Sequence, residues 1–448
     1  MKKTLSILIL ILFFFIFGSY LISSDTDFSK NVKKLFPNNL KTILKETVFI
    51  IPNLKKENQK LKSKLDIVEN NLKYLMIGNL NMVGRKIIIN PYTDLIDTNK
   101  FTIAKFFLPG MPHNTFGYQV TDFYKGRYVD IYKDNLLIID SFKFYTTSSN
   151  NNFFKLEKIN LREVKSNIKD FTNLVGIRDI KIIKNSLFIS GVTKNLETES
   201  CYGVQILKAK LNNNPTNEDI DAIVFNNFLN FDFCAKNGVQ SGGRIDQFNE
   251  DSIIISFGDF GKPEWDGKEN DFFSDNNYLG KIISINLKNK KIKILSKGHR
   301  NPQGLLYFKD KNIIINTEHG PSGGDEININ FLDKIYNFGW PLASYGKRYN
   351  GDNPFLKNHE KFDEPIKYYN PSIAPSQITY KKENIFYISS LKALSLFEIK
   401  FSEDYKKVLN EEKIIIGERI RDIVYINNKI YCLILENTPA IAFLKFKN

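Results

Sequence analysis

A chain of 448 residues, 42% hydrophobic and 13% aromatic, is long and apolar enough to bury a sizeable core, which excludes a disordered polar chain. Its formal charge of +14 is spread over scattered lysines and arginines without a DNA- or RNA-binding motif, so nucleic acid is not the expected partner. Three cysteines, Cys201, Cys234 and Cys432, show no C-x-x-C spacing, which removes a zinc ribbon or a dithiol redox motif.

Residues 1–23 open with Lys2 and Lys3 and continue as an apolar run from Leu5 to Phe17 and on to Ile22. The pattern predicts a signal anchor, a transmembrane helix with its lysines inside and the rest of the chain on the periplasmic side of the inner membrane. No A-x-A-like site follows it, and a cleaved export signal is the alternative. Residues 24–52 read as a spacer. In residues 53–78, Leu54, Leu61, Val68 and Leu75 recur every seventh position, with Asn58, Leu65 and Leu72 four residues after the first three. That seam predicts a short coiled-coil helix that joins copies of the chain through residues 54–76, with Asn58 fixing the register. The same pattern also fits a lone amphipathic helix lying on a surface.

From Arg85 the texture changes to short apolar runs between Asn, Asp, Gly and Lys turns, among them Arg127–Tyr132, Leu136–Asp140, Ile253–Phe257 and Ile430–Leu435. Helical periodicity is nearly absent after Met76. Near-continuous apolar strands suit sheets covered on both faces, and the region is expected to be all-β. Repeats of about 40 residues are not visible, so periodicity alone gives no blade count. Cys201 and Cys234 pair if the region is exported, leaving Cys432 as a buried strand residue; three buried thiols is the other reading.

The stretch from His299 to Trp340 carries the densest chemistry. Arg300, Asn301 and Gln303 place a cation and two amides within four residues, just before a strand. Gly320-Pro321-Ser322-Gly323-Gly324-Asp325-Glu326 is a tight loop that exposes carbonyls and ends in two carboxylates, a composition suited to a hard cation and equally to plain β-turns. Further on, Arg419 and Arg421 stand two apart, so that on a strand they share a face and can grip one anion together; otherwise they are solvated charges beside Glu418 and Asp422.

In order, RNPQGL, TEHGPSGGDEIN and NFGWP, followed by PSIAPSQITY, IFYISSLK and ERIRDI, resemble the signature of the soluble glucose/sorbosone dehydrogenase family, the quinoprotein aldose dehydrogenases. Upstream, GIRDIKIIKNSLFIS and QSGGRIDQFNEDSIIISFGDFG fit as well. The resemblance spans roughly residues 131–448. It implies a six-bladed β-propeller over residues 85–448 that holds pyrroloquinoline quinone (PQQ) and Ca2+. It places Arg300 against the reactive quinone oxygen and Asn301 and Gln303 among the cofactor-contacting amides. Lys392, Arg419 and Arg421 become the cofactor's cationic partners. Gly320 and Pro321 become carbonyl ligands of the metal, and Glu326 a ligand of a second calcium. His319 becomes a neighbour of the cofactor shell, while His113, in MPHN, lies outside the matched region.

Two departures stand out. The family's pattern is close to H-x-G-G-R, with the histidine accepting the sugar's hydroxyl proton, and here the stretch reads Gln240-Ser241-Gly242-Gly243-Arg244. An amide cannot serve as that base near neutrality. Leu174 and Val175 stand before Gly176, where a glutamine is expected. The resemblance thus predicts a PQQ- and calcium-dependent oxidoreductase acting on an aldose or related alcohol. Its rival is a degenerate propeller that binds a glycan or a protein partner without turnover.

Overall fold

The computed structural model describes residues 86–89, 95–108, 126–155, 158–195, 201–211, 222–261, 277–349, 359–426, 430–436 and 440–447. The chain divides into two units, Met1–Ile77 and Gly78–Asn448. The anchor, spacer and coiled coil expected for residues 1–78, and His113, lie outside the described residues. Among those described, no helix is long and apolar enough to cross a membrane.

The second unit is a ring of six sheets, antiparallel except for two short parallel edge pairings, and all-β as expected. Blade 1 runs outward through Arg127–Tyr132, Asn135–Asp140, Lys143–Ser148 and Ile159–Ser166, with Lys86–Ile89 added at its outer edge. Blade 2 comprises Leu174–Ile183, Ser186–Lys194, Tyr202–Lys210 and Phe225–Ala235. The inner strands of blades 3 to 6 are Gly242–Asn249, Pro302–Phe308, Pro375–Lys382 and Ile420–Ile426. Each inner strand packs beside the next, and the sixth beside the first, so the ring is closed.

Closure comes from upstream of blade 1. Phe101–Phe107 pairs antiparallel with Ala440–Phe446, in register from Phe101 opposite Phe446 to Phe107 opposite Ala440. Blade 6 is therefore stitched from both ends of the ring, which leaves no open seam for a blade to peel from.

The strands read as unbroken apolar runs because each blade is sandwiched. In Asn135–Asp140, Leu137 and Ile139 face a layer shared with Leu187 and Ile189 of blade 2. Leu136 and Ile138 point the other way, into a layer with Cys432 and Ile434 of blade 6. Both faces of a period-2 strand are thus buried.

Cys201 and Cys234 form a disulfide that ties the two outer strands of blade 2, and Cys432 is free and buried. The bond closes a loop of sequence separation 33. Replacing both cysteines by alanine should cost on the order of 3 kcal/mol through loop entropy alone. Urea unfolding of the double variant against the oxidised parent checks this.

Candidate functional site

In every blade the first residue of the inner strand lies opposite the last residue of the second strand or, in blade 2, the last but one: Arg127 faces Asp140, Leu174 faces Thr193, Gly242 faces Phe257, Pro302 faces Glu318, Pro375 faces Ser390 and Ile420 faces Leu435. Neighbouring inner strands touch at matching depths, as where the Asp422 carboxylate accepts from the Val129 backbone N–H at 3.0 Å. All six starts therefore gather at one end of the ring. Gln240, Arg300, Asn301, Gln303, Gly320, Pro321, Lys392, Arg419 and Arg421 all belong to that end. Five of these strand starts carry a register shift, which leaves Arg178, Arg244, Gln303, Ser376 and Arg421 without a direct cross-strand partner. A bulge re-aims the side chain it carries, and here bulges turn side chains toward the axis.

Arg244 is the hub. Its Nη1 contacts Asp179 of blade 2 at 2.9 Å and Asp422 of blade 6 at 3.0 Å. Nη2 donates to the carbonyls of Ser376 and Arg421, and Nε to that of Gln303. Its guanidinium lies 4.9 Å from the Tyr128 ring centre of blade 1. One side chain from blade 3 thus touches the other five blades. Burial, together with the second carboxylate of Asp422, holds Asp179 above the usual carboxylate range even beside that cation.

Above this plug a polar chain crosses the mouth. Arg421 Nη1 donates to Gln303 Oε1 at 3.2 Å, and Gln303 Nε2 donates to Asn301 Oδ1 at 3.0 Å. Asn301 Oδ1 also accepts from the Gly242 N–H at 3.3 Å. The Asn301 amide nitrogen lies 3.5 Å from His319 Nδ1, and His319 Nε2 lies 2.8 Å from the Pro375 carbonyl. Burial pushes the His319 imidazole below its ordinary value, so it is neutral, donates through Nε2 and orients Asn301.

Arg300 is buried between two aromatic rings, its guanidinium 5.3 Å from Trp340 and 5.6 Å from the exposed Tyr349. Its Nη1 donates to the carbonyl of Gly320 at 2.7 Å and to that of His319 at 3.2 Å. Asp325 shapes this loop: its carboxylate accepts from the N–H groups of Gly320, Ile373 and Ala374. Glu326 is buried too, 3.4 Å from His359 Nε2, and burial with the charge of Glu318 pushes it up to about 7. Among the described residues no three His, Cys, Asp or Glu side chains gather as a metal cage.

Arg419 and Arg421 do grip one anion together, but it is a carboxylate of the chain itself, Glu436. Glu418 and Asp422, their neighbours in sequence, are engaged elsewhere, with Lys105 and Arg244. Arg419 Nη1 reaches the Leu391 carbonyl at 3.4 Å, next to Lys392, which is exposed. Arg300, Lys392, Arg419 and Arg421 thus stand on strand starts or loops at the same end of the ring.

Gln240 occupies a left-handed turn with φ of 53°. Arg178 straddles that turn, donating to Ser241 Oγ at 2.7 Å and to the Gly238 carbonyl at 3.1 Å. The Gln240 side-chain oxygen is buried and finds no partner among the described residues. Sequence reasoning missed Arg178, Arg244 and Glu436. A signal for the first existed: Ile177-Arg178-Asp179-Ile180 and Ile420-Arg421-Asp422-Ile423 are the same tetrapeptide on two inner strands.

Comparison with known proteins agrees with the fold. The family described as Glucose / Sorbosone dehydrogenase matches residues 183–441. An uncharacterized protein of Synechocystis, slr1608, is 30% identical over 213 residues, covering 42% of this chain and 51% of that one. The aldose sugar dehydrogenase YliI of Escherichia coli is 35% identical over 142 residues, 29% of this chain and 37% of that one. The chain thus spans about half, or less, of the curated relatives it matches. The structure of the soluble aldose sugar dehydrogenase of Escherichia coli in its apo form superposes with a TM-score of 0.56 at 19% identity, covering 72% of this chain and 96% of that one. The PQQ-bound aldose sugar dehydrogenase of Streptomyces coelicolor gives 0.53 at 16% identity, with 72% and 94% covered.

Proposed function

The chain belongs to the glucose/sorbosone dehydrogenase family, and from that premise we propose that it is a PQQ- and calcium-dependent oxidoreductase acting on an aldose or a related alcohol. The observation that carries the reading is the bonded run from Asn301 through Gln303 to Arg421, joined to Arg419 through Glu436, with the Arg300 cation beside Asn301 in sequence. A planar tricarboxylate fits that donor set, which offers guanidinium forks and amides in one partly buried cluster. The Gly320 carbonyl, which accepts from Arg300 through one lone pair, keeps a second that fits a hard cation taking oxygen ligands.

In this reading Lys392, Arg419 and Arg421 hold the cofactor's carboxylates, and Asn301 and Gln303 orient it. The carbonyls of Gly320 and Pro321 hold calcium, and Glu326 serves a second one. Bound there, the quinone supplies a two-electron acceptor and calcium a Lewis acid. Arg300 stabilises negative charge that develops at the mouth, from a site dried by Trp340. Gln240 cannot accept the substrate's hydroxyl proton, so another group or water takes it. The disulfide fits an oxidising compartment on the far side of an N-terminal anchor.

The test is reconstitution of the full chain with PQQ and calcium, followed by the absorbance of bound quinone and by dye reduction with a panel of aldoses. Arg300→Ala and Lys392→Ala should each weaken uptake, Arg300→Ala by roughly 10- to 100-fold because a charge-assisted bond is lost. No uptake by the parent chain removes the cofactor, and unchanged uptake in both variants removes the site assignment.

A further inference from the structure

Glu436 follows the strand Ile430–Leu435 directly, and its backbone N–H donates to the Arg419 carbonyl at 2.9 Å. Oε2 lies 3.3 Å from Arg419 Nε and 3.2 Å from Nη2, while Oε1 accepts from Arg421 Nε. The Glu436 and Arg421 side chains are only 14% and 17% exposed, so these charges are weakly screened. Gln303 fixes Arg421 from the other side. The arginine fork is therefore preformed, and one of its two positive charges is already answered from within the chain.

We propose that Glu436 is an internal counter-anion that occupies the arginine fork and limits its affinity for the carboxylates of an incoming ligand. The identification of that ligand with PQQ rests on the function proposed above; the antagonism does not. A carboxylate that reaches Arg419 and Arg421 must share them with Glu436 or displace it, and at this spacing two like charges repel. The amide of Glu436→Gln can still accept from one arginine, so it removes the charge while keeping most of the shape. Glu436 thereby trades affinity for an ordered, charge-balanced site in the unliganded protein.

Uptake of PQQ by the full chain, followed by quinone absorbance, should tighten about 5- to 50-fold in Glu436→Gln and become more salt-dependent. Glu436→Asp, which keeps the charge, should stay near the parent. Adding Arg421→Ala to Glu436→Gln should abolish the gain. The same titration with citrate, followed by thermal shift, separates the two ideas. Tighter citrate binding in Glu436→Gln, with no PQQ uptake by any variant, leaves the counter-anion role standing and sinks the cofactor. Equal or weaker binding of both anions in Glu436→Gln, or no binding of either by any variant, overturns the proposal.

Discussion

Arg244→Met is expected to cost about 3–5 kcal/mol of stability, because it removes the cation and leaves Asp179 and Asp422 buried without it. The loss also breaks bonds to the carbonyls of Gln303, Ser376 and Arg421, so blades 4 and 5 lose their tie to the axis and blade 6 loses a second one. Arg244→Lys should recover little, since a single ammonium cannot span five partners that a planar fork reaches. Adding Asp179→Asn and Asp422→Asn to Arg244→Met should restore much of the loss. Each asparagine oxygen can still accept from the neighbouring blade's backbone, from Ile245 or Val129, with no charge left to bury. Equilibrium urea unfolding of the four proteins decides it. A single Arg244→Met variant within 1 kcal/mol of the parent would show the hub to be dispensable.

The axis also shows what the sequence could and could not reveal. Strands were legible wherever a run such as Leu136–Ile139 was apolar throughout, because both of its faces are covered by neighbouring blades. The closure by Phe101–Phe107 was not assignable. It pairs with residues more than 300 positions away, and antiparallel pairing leaves no local mark of its partner. Arg300, Asn301 and Gln303 were legible as a motif because they are adjacent in sequence. Arg244 was not, since its partners come from five blades and its position depends on a bulge. Glu436 was missed for the opposite reason: it stands alone at the end of an apolar strand, and only the fold brings it to Arg419 and Arg421. The paired arginines do meet one carboxylate, that of Glu436, while the nearest acids in sequence belong to other partners.

If the mouth performs oxidation, Gln240→His should raise kcat of the PQQ-loaded chain about 10²–10⁴-fold, the typical contribution of a general base. The turn can take the change, because a φ of 53° is one that histidine adopts more readily than most residues. Arg178 would still clamp the turn through Ser241 and Gly238. Its positive charge nearby favours the neutral imidazole, the form a base requires. The pH profile then separates chemistry from simple repacking. The parent, with no histidine between Gly203 and Ser296, should show no inflection from this position. Gln240→His should gain one at or below about 6.5, with the rate rising as pH rises through it because deprotonation creates the acceptor. Quinone uptake should not change, since Gln240 is not among the groups that hold the carboxylates. A variant that binds quinone and sugar as the parent does yet gains no rate would mean that the proton is not what this mouth lacks. The ring would then be a binding propeller that has kept its cations for recognition.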